Sequence, residues 1–282
     1  MIDWLKDSNE EVRDAFDRGG ENCKMTSGEI QKDLARCCAE EVTEVIMGEL
    51  GDKKFSILID ESRDISVKEQ MAVMLRYVNE GKVVERFLCL HHIKDTTSES
   101  LKLALICVEM NHRFSDSNQE VIACFSCLDP KNSFSKFDVQ KLSRLAEIYS
   151  ADFSNSDRTI LRDQLETFVL HLRNHAAFST CKDDESLTTK MVETEKNLVF
   201  PLVYMLIELA LLLPVSTASV ERAFSAMKII KSRLRSTIND DWFIHLMICY
   251  TEREIFKSLD DEVITRRFQA MKARKGILPR HH

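Results

Sequence analysis

The sequence predicts an α+β fold, with a thin sheet of three strands followed by a mainly α-helical C-terminal region. Three apolar, β-branched runs follow one another between residues 55 and 93. After them, the chain shows helical periodicity interrupted only by short polar loops. The 282 residues include just 7 Gly and 4 Pro, which is typical of helix-rich globular proteins and excludes collagen-like or largely disordered chains.

The first 50 residues predict helices. Apolar residues from Ile2 to Phe16 recur at helical spacing until Gly19-Gly20 ends the pattern. A second pattern keeps a 3.6-residue period from Ile30 to Leu50, and Gly51 stands where a C-terminal cap belongs. We therefore expect a long helix that ends near Leu50.

The three apolar runs predict a sheet that contains a hairpin. Phe55 to Ile59 indicates a buried strand that presents Asp60 at its C-terminal end. Residues 70–78 and 83–93 flank Asn79-Glu80-Gly81-Lys82, a turn sequence with glycine in a favourable place. Three such strands are apolar enough to be buried on both faces, so helices must cover both sides or neighbouring strands must be absent.

Helical patterns then continue to the C-terminal region. A helix start is indicated at Thr96 to Glu99. Polar loops are expected around Asp129-Pro130-Lys131-Asn132 and from Thr180 to Ser186. Further helices are predicted at about 118–127, 137–150, 156–176, 197–213, 218–231, 238–258 and 261–274.

Cysteine usage and hydropathy exclude several classes of protein. The N-terminal residues lack the apolar core of a signal peptide, so we expect an intracellular chain with reduced thiols. Among nine cysteines, only Cys124 and Cys127 have C-x-x-C spacing, and no second ligand pair matches them, so we expect no metal site. The apolar run from Leu198 to Pro214 contains Glu208 and is too short for a membrane span. No membrane association and no small-molecule substrate are expected.

Charge is divided unevenly along the chain. The net charge is −7, yet residues 222–282 contain 13 Lys and Arg against 7 Asp and Glu, so this segment carries +6 and the remainder −13. On a helix, Lys228, Lys231 and Arg235 share one face that could contact DNA phosphates. The alternative is a solvated face without a ligand. The basic tail from Lys272 to Lys275 is short for a nuclear import signal; we expect a nuclear location, with a cytoplasmic one as the alternative.

Two segments carry motifs that resemble one family. The first runs from Phe55 to Asp64 and continues through the hairpin to Leu101. The second runs from Leu213 to Ser225 and on to Tyr250. They are similar to the opening of the RNase H-like domain and to the C-terminal dimerisation region of hAT superfamily transposases, especially their zinc-finger-MYM-like relatives. The second segment has the core S-x-x-x-E-R-x-F-S, in which Thr217 stands at the first serine position.

The resemblance implies a DDE-type phosphoryl transfer in which two aspartates and a glutamate hold two metal ions. By position, Asp60 matches the first aspartate and Glu221 the glutamate, whereas the second aspartate has no counterpart. Later strands, most of the helical insertion and the zinc-binding DNA module also lack counterparts. We therefore expect a degenerate, inactive relative without a cofactor, although active relatives use Mg²⁺.

Two alternatives stay open. In the first, Asp64 or Asp95 replaces the absent ligand and a metal-dependent nuclease retains residual activity. In the second, the junction at residues 101–110 marks an aberrant product that does not fold cooperatively.

The resemblance also implies homodimerisation through the C-terminal helices, with a purely intramolecular core as the alternative. The family's dimerisation motif corresponds to Glu221, Arg222, Phe224, Ser225 and Trp242. Three apolar stripes accompany the motif: Leu202, Leu206, Leu209, Ala210 and Leu213; Val220, Phe224, Met227 and Ile230; and Trp242, Leu246, Cys249, Tyr250 and Ile255. The predicted organisation is 1–110, helices and a partial RNase H-like domain; 111–195, a helical remnant; 196–260, the dimerisation region; and 261–282, a basic tail.

Overall fold

The computed structural model describes residues 27–63, 69–92, 118–213, 218–234 and 240–271. These residues form two compact units. Unit 1 consists of residues 27–44 and 240–271, and unit 2 of the described residues from 45 to 234. The predicted helices before Ser27 and at Thr96 to Glu99 lie outside the described residues.

A three-stranded sheet follows the first described helix, and helices follow the sheet, so the α+β prediction is confirmed. Two short 3₁₀ helices, Ser126–Leu128 and Ala176–Phe178, lie among the α-helices. The elements are α1 Gly28–Leu50, β1 Phe55–Arg63, β2 Glu69–Asn79, β3 Lys82–His92, α2 Asn118–Phe125, α3 Lys131–Phe134, α4 Val139–Ile148, α5 Asn155–Arg173, α6 Asp184–Glu193, α7 Lys196–Val199, α8 Pro201–Leu212, α9 Ala218–Leu234, α10 Asp240–Thr251, α11 Arg253–Ser258 and α12 Asp261–Ala270.

The sheet is antiparallel, with strand order β1-β2-β3. The predicted hairpin turn is confirmed, because Asn79 pairs with Lys82 and both intervening residues have positive φ, 50° at Glu80 and 79° at Gly81. Such a turn matches the right-handed twist of the flanking strands. Glycine adopts this conformation without the steric strain that a β-carbon would add.

The hairpin tip is anchored to helix α6. The buried Thr188 donates a hydrogen bond of 2.8 Å to the carbonyl oxygen of Gly81, and Thr189 donates to the same oxygen. A β-carbon on Gly81 would lie 2.7 Å from the backbone oxygen of Thr188. Glycine is therefore needed both for its φ and for the close approach of two backbones.

Residues on both faces of the sheet contact helices. The central strand β2 is buried from Gln70 to Leu75. On one face, Tyr77 donates a hydrogen bond of 2.8 Å to Glu49 of α1. On the other face, Arg76 donates to the carbonyl oxygen of Leu211 in α8, and α9 packs against β1 and β2.

The helices of unit 2 enclose a large apolar core. Its centre contains Phe168 on α5, whose ring centroid lies 5.4 Å from that of Phe200 and 6.4 Å from that of Phe134. The α5 helix begins with a capping box formed by Ser154 and Asp157, which satisfies two backbone amides at its first turn.

Unit 1 contains an ion-pair cluster between α1 and α12. The guanidinium of Arg267 contacts three carboxylates of α1: Glu40 at 3.2 Å, Glu44 at 2.5 Å and Glu41. The Glu41 side chain is only 10% exposed, so the guanidinium compensates a carboxylate that is largely removed from water.

Three helix predictions need correction. The predicted helix 197–213 is interrupted at Phe200, because the residue before a proline is disfavoured in the helical conformation and Pro201 starts a new helix. The predicted helix 238–258 is divided at Glu252 into α10 and α11. Helix α6 lies partly within a segment predicted to be a loop, and its Asp183 and Ser186 form a capping box.

The described residues contain no helix that combines the length and hydropathy needed to cross a bilayer.

Candidate functional site around the two motifs

The two predicted catalytic positions lie on neighbouring elements of unit 2. Asp60 is exposed on β1, where it pairs with Ala72 of β2. Glu221 is exposed in the first turn of α9, and α9 packs against β1. Both carboxylates therefore lie on elements of unit 2 that pack together.

The first turn of α9 lies near Arg76 of β2. Its Ser219 and Arg222 line a cavity with Arg76 of β2. Arg76 pairs with Ser56, which precedes Asp60 by four residues, or about 13 Å of extended strand. The cavity is thus at the opposite end of β1 from its acidic C-terminal end.

The proposed substitutes for the absent aspartate, Asp64 and Asp95, lie outside the described residues. Within the described ranges, no three His, Cys, Asp or Glu side chains are grouped so that they could hold a metal ion. The described structure therefore brings no third ligand to Asp60 and Glu221.

The cavity at the start of α9 has a volume of about 580 Å³ and carries charges of both signs. Arg76 forms an ion pair of 2.8 Å with Glu85 of β3, and both side chains are at least four-fifths buried. Burial raises the pKa of Asp184 to about 6, and Asp129 and Asp183 add to that shift. Arg76 connects β2 to β3 through Glu85 and to the end of α8 through Leu211, which is a structural role.

The dimerisation motif on α9 is divided between two faces of the helix. Glu221, Arg222 and Ser225 are exposed, whereas Phe224 is 8% exposed and faces the interior. Arg222 donates a hydrogen bond of 2.5 Å to Ser219 one turn earlier. Thr217 lies outside the described residues. The motif therefore contributes both to the core of unit 2 and to its surface.

The three predicted apolar stripes differ in burial. Val220, Phe224, Met227 and Ile230 of α9 are all buried, and the α8 stripe is buried at Leu206 and Leu209. The stripe predicted for α10 does not match the buried face of that helix, because the buried residues of α10 are Phe243, Met247 and Ile248. Trp242, Leu246 and Cys249 are half-buried and Tyr250 is 43% exposed.

Trp242 lies in unit 1, close to helix α1. The ammonium of Lys32 is 6.0 Å from the centroid of its ring, within the range of a weak cation–π interaction. The indole nitrogen of Trp242 is buried and makes no hydrogen bond to the described residues.

The basic residues predicted to contact DNA are only partly described. Lys228 is exposed on α9 and Lys231 is half-buried. Arg235 and the tail from Lys272 to Lys275 lie outside the described residues. The exposed face of α9 therefore presents Glu221 and Arg222 together with Lys228, a mixture of charges.

Cys124 and Cys127 lie in the apolar core of unit 2 as free thiols. Burial raises the pKa of both thiols, which disfavours the thiolate that binds metals and attacks disulfides. Their packing role agrees with that of small apolar side chains.

Comparison with known families finds matches over most of the chain. Residues 1–125 match the ZMYM1/FAM200 RNase-like domain, and residues 175–254 match the hAT family C-terminal dimerisation region. The chain is a hAT transposase-derived protein. The first match contains Asp60 and the sheet, and the second contains Glu221, the α9 motif and Trp242. No curated protein and no solved structure matches this hAT-derived chain.

Sequence reasoning missed the contacts that order this region of the hAT-derived protein. Arg76 and Glu85 are polar residues in apolar strands, which is a signal of a buried ion pair. The D-x-x-S pattern of Asp183 and Ser186 is a capping signal for α6. The predicted helix 197–213 did not indicate that Leu198 and Val199, which precede the break at Phe200, are exposed.

Proposed function

We propose that this hAT-derived protein self-associates through its C-terminal region and does not cleave or join DNA strands. The match of residues 175–254 to a dimerisation region carries the proposal of self-association. The absence of a sequence counterpart to the second catalytic aspartate supports the loss of catalysis, because a two-metal site needs a carboxylate that bridges both ions.

Self-association can be tested with two copies of the full chain that carry different affinity tags. We expect co-expressed copies to purify together and to exchange with untagged protein over time. If each tagged copy purifies without the other at micromolar concentration, the proposed self-association is wrong.

The lack of catalysis is tested with supercoiled DNA in the presence of Mg²⁺ or Mn²⁺. We expect no nicking above the level given by the Asp60→Ala variant. Metal-dependent nicking that disappears in Asp60→Ala would instead establish the nuclease alternative, with a further carboxylate supplied from elsewhere.

We further propose weak, non-specific contact with DNA phosphates through Lys228, Lys231 and Arg235, and a nuclear location. The net charge of +6 over residues 222–282 supports both proposals. Binding to duplex DNA should fall with salt concentration and weaken in Lys228→Gln. Affinity that does not respond to salt would exclude this mechanism.

A further inference from the structure

The buried stripes of α8 and α9 are not available to a partner. Val203, Leu206 and Ile207 of α8 and Val220 and Met227 of α9 are fully buried inside unit 2. A partner could reach these side chains only if the unit opened, at the cost of its apolar core. A surface for self-association within residues 175–254 must therefore use other side chains.

Leu198 and Val199 are the strongest apolar candidates. Leu198 is 74% exposed, the highest value among the large apolar side chains of the described residues, and the adjacent Val199 is 57% exposed. Both lie on α7, a single helical turn in which no residue is buried. An adjacent exposed pair of this size is a potential anchor for a protein interface.

The local sequence holds this pair in a defined position. Glu195, immediately before α7, adopts a left-handed conformation with φ of 56°. Directly after α7, Phe200 is 5% exposed, and its ring packs 5.4 Å from Phe168 and 6.0 Å from His171. Phe200 is fixed in the core and Pro201 begins the next helix. The backbone at Leu198 and Val199 is therefore constrained, so little of its conformational entropy is lost on binding.

The charged residues next to Leu198 and Val199 can form ion pairs between two copies of the chain. Glu195, which is exposed, and Lys196, which is half-buried, precede the pair in the chain and carry opposite charges. In a two-fold contact, both copies use the same surface. A residue of one copy then contacts a different residue of the other copy, and the reverse contact is made as well. A lysine of one copy can then meet a glutamate of the other without repulsion between like charges.

We infer that Leu198 and Val199 on α7 form the apolar centre of a two-fold contact with a second copy of this chain. The inference rests on the proposed self-association and specifies its surface. Its physical basis is an exposed, rigidly held apolar pair inside the region that matches a dimerisation family. Surrounding polar residues would complete the interface and exclude water from its centre.

The test compares full-length variants by sedimentation equilibrium. The double variant Leu198→Ser with Val199→Ser should raise the dissociation constant at least about tenfold, since interface anchors carry most of the binding energy. The matched control is Ile122→Ser, which alters a side chain of unit 2 that is 60% exposed and lies outside residues 175–254. That control should leave the constant unchanged.

The outcomes separate the two claims. If the natural sequence is a monomer at every concentration, the proposed self-association fails. If the natural sequence self-associates and the double variant does so equally tightly, the surface is wrong while self-association stands. Tyr250→Ser, which alters the 43% exposed side chain on α10, would identify a competing surface if it alone weakened association.

A second measurement does not depend on the stability of the variants. A photo-reactive amino acid at position 198 should cross-link to residues 195–199 of the other copy, which a mixture of isotopically labelled and unlabelled chains distinguishes from cross-links within one copy. Cross-links confined to one copy under conditions of self-association would overturn the inference.

Discussion

Units 1 and 2 both bury apolar side chains, Phe268 in unit 1 and Phe168 in unit 2 among them, but the arginine that contacts three carboxylates lies in unit 1. Unit 2 encloses an apolar core that includes the aromatic rings of Phe134, Phe168 and Phe200. In unit 1, Arg267 connects α12 to α1 by contacts with three carboxylates. Apolar burial depends weakly on pH, whereas ion pairs depend on the protonation of their carboxylates. The two units should therefore respond differently to mutation and to acid.

The largest effect is expected in the core of unit 2. Phe168→Ala removes a fully buried ring and should lower the free energy of unfolding by about 3–5 kcal/mol, through lost burial and the cavity that remains. Chemical denaturation followed by circular dichroism measures the change. Leu170→Ala, on the same helix but 61% exposed, is the control and should change stability by less than about 0.5 kcal/mol.

The next effect concerns the contact between the hairpin and α6. Gly81→Ala should destabilise unit 2 by about 2 kcal/mol or more, because φ is 79° and the new β-carbon would lie 2.7 Å from a backbone oxygen. Hydrogen exchange should increase in β2, β3 and α6.

Gly48→Ala is the control for this substitution. Gly48 lies inside helix α1 with open space around the position of a β-carbon, so alanine should stabilise the chain by up to about 1 kcal/mol. Effects of opposite sign at the two glycines would support the geometry, whereas a neutral Gly81→Ala would contradict the close contact with Thr188.

A smaller effect is expected from the ion-pair cluster of unit 1. Arg267→Met should lower stability by about 2 kcal/mol, since it leaves the largely buried Glu41 without its partner. Hydrogen exchange in α1, α10 and α12 measures the effect locally. Arg266→Met removes a 75% exposed guanidinium paired with Glu262 and should be near neutral.

The same cluster predicts a loss of stability in acid. Burial alone would raise the pKa of Glu40, but its hydrogen bonds and ion pairs with Arg36 and Arg267 outweigh burial and lower that pKa. The stabilisation is therefore present above the ordinary glutamate pKa of about 4.3 and is lost as the pH falls through the lower folded value. Arg267→Met should reduce this acid dependence. An unchanged profile would contradict the role of the cluster.

The smallest effect has the opposite sign and belongs to unit 2. Burial raises the pKa of Asp184 to about 6, so the folded chain holds this proton more tightly than the unfolded chain does. The ionised carboxylate therefore costs stability above pH 6, and this cost disappears below pH 4. Asp184→Asn should stabilise unit 2 by about 1 kcal/mol at pH 7 and by nothing at pH 4, as measured by thermal unfolding.

Local signals in the sequence predicted much of the architecture. The helical period from Ile30 to Leu50, the position of Gly51 and the turn at Gly81 each gave the correct element. Such features depend on neighbouring residues and on backbone conformation, which sequence displays directly. Pro201 was an equally local signal, and its effect on Phe200 explains the break before α8.

The buried face of an apolar helix and the contacts between residues far apart in the sequence could not be predicted in the same way. Helix α10 is apolar from Trp242 to Cys249 on almost every face, so periodicity cannot select Phe243 and Met247 as the buried residues. The contact of Arg267 with Glu41 joins residues 226 positions apart, and that of Thr188 with Gly81 joins residues 107 apart. Tertiary packing decides such pairs, and a single sequence does not contain that information.

The family motifs identified the family but not the packing of their own residues. Asp60 lies on a strand and Glu221 at a helix start, as predicted, but the turn that holds Glu221 lines a cavity with Arg76 of β2. Phe224 belongs to a dimerisation motif and yet is buried within its own unit. A motif residue can thus support an interface by shaping the unit that carries it.

Light scattering coupled to size-exclusion chromatography over a dilution series tests the central claim of self-association most directly. We expect a mass of twice 32.6 kDa at high concentration, which falls towards 32.6 kDa only on dilution. A mass of 32.6 kDa at every concentration up to hundreds of micromolar would contradict it.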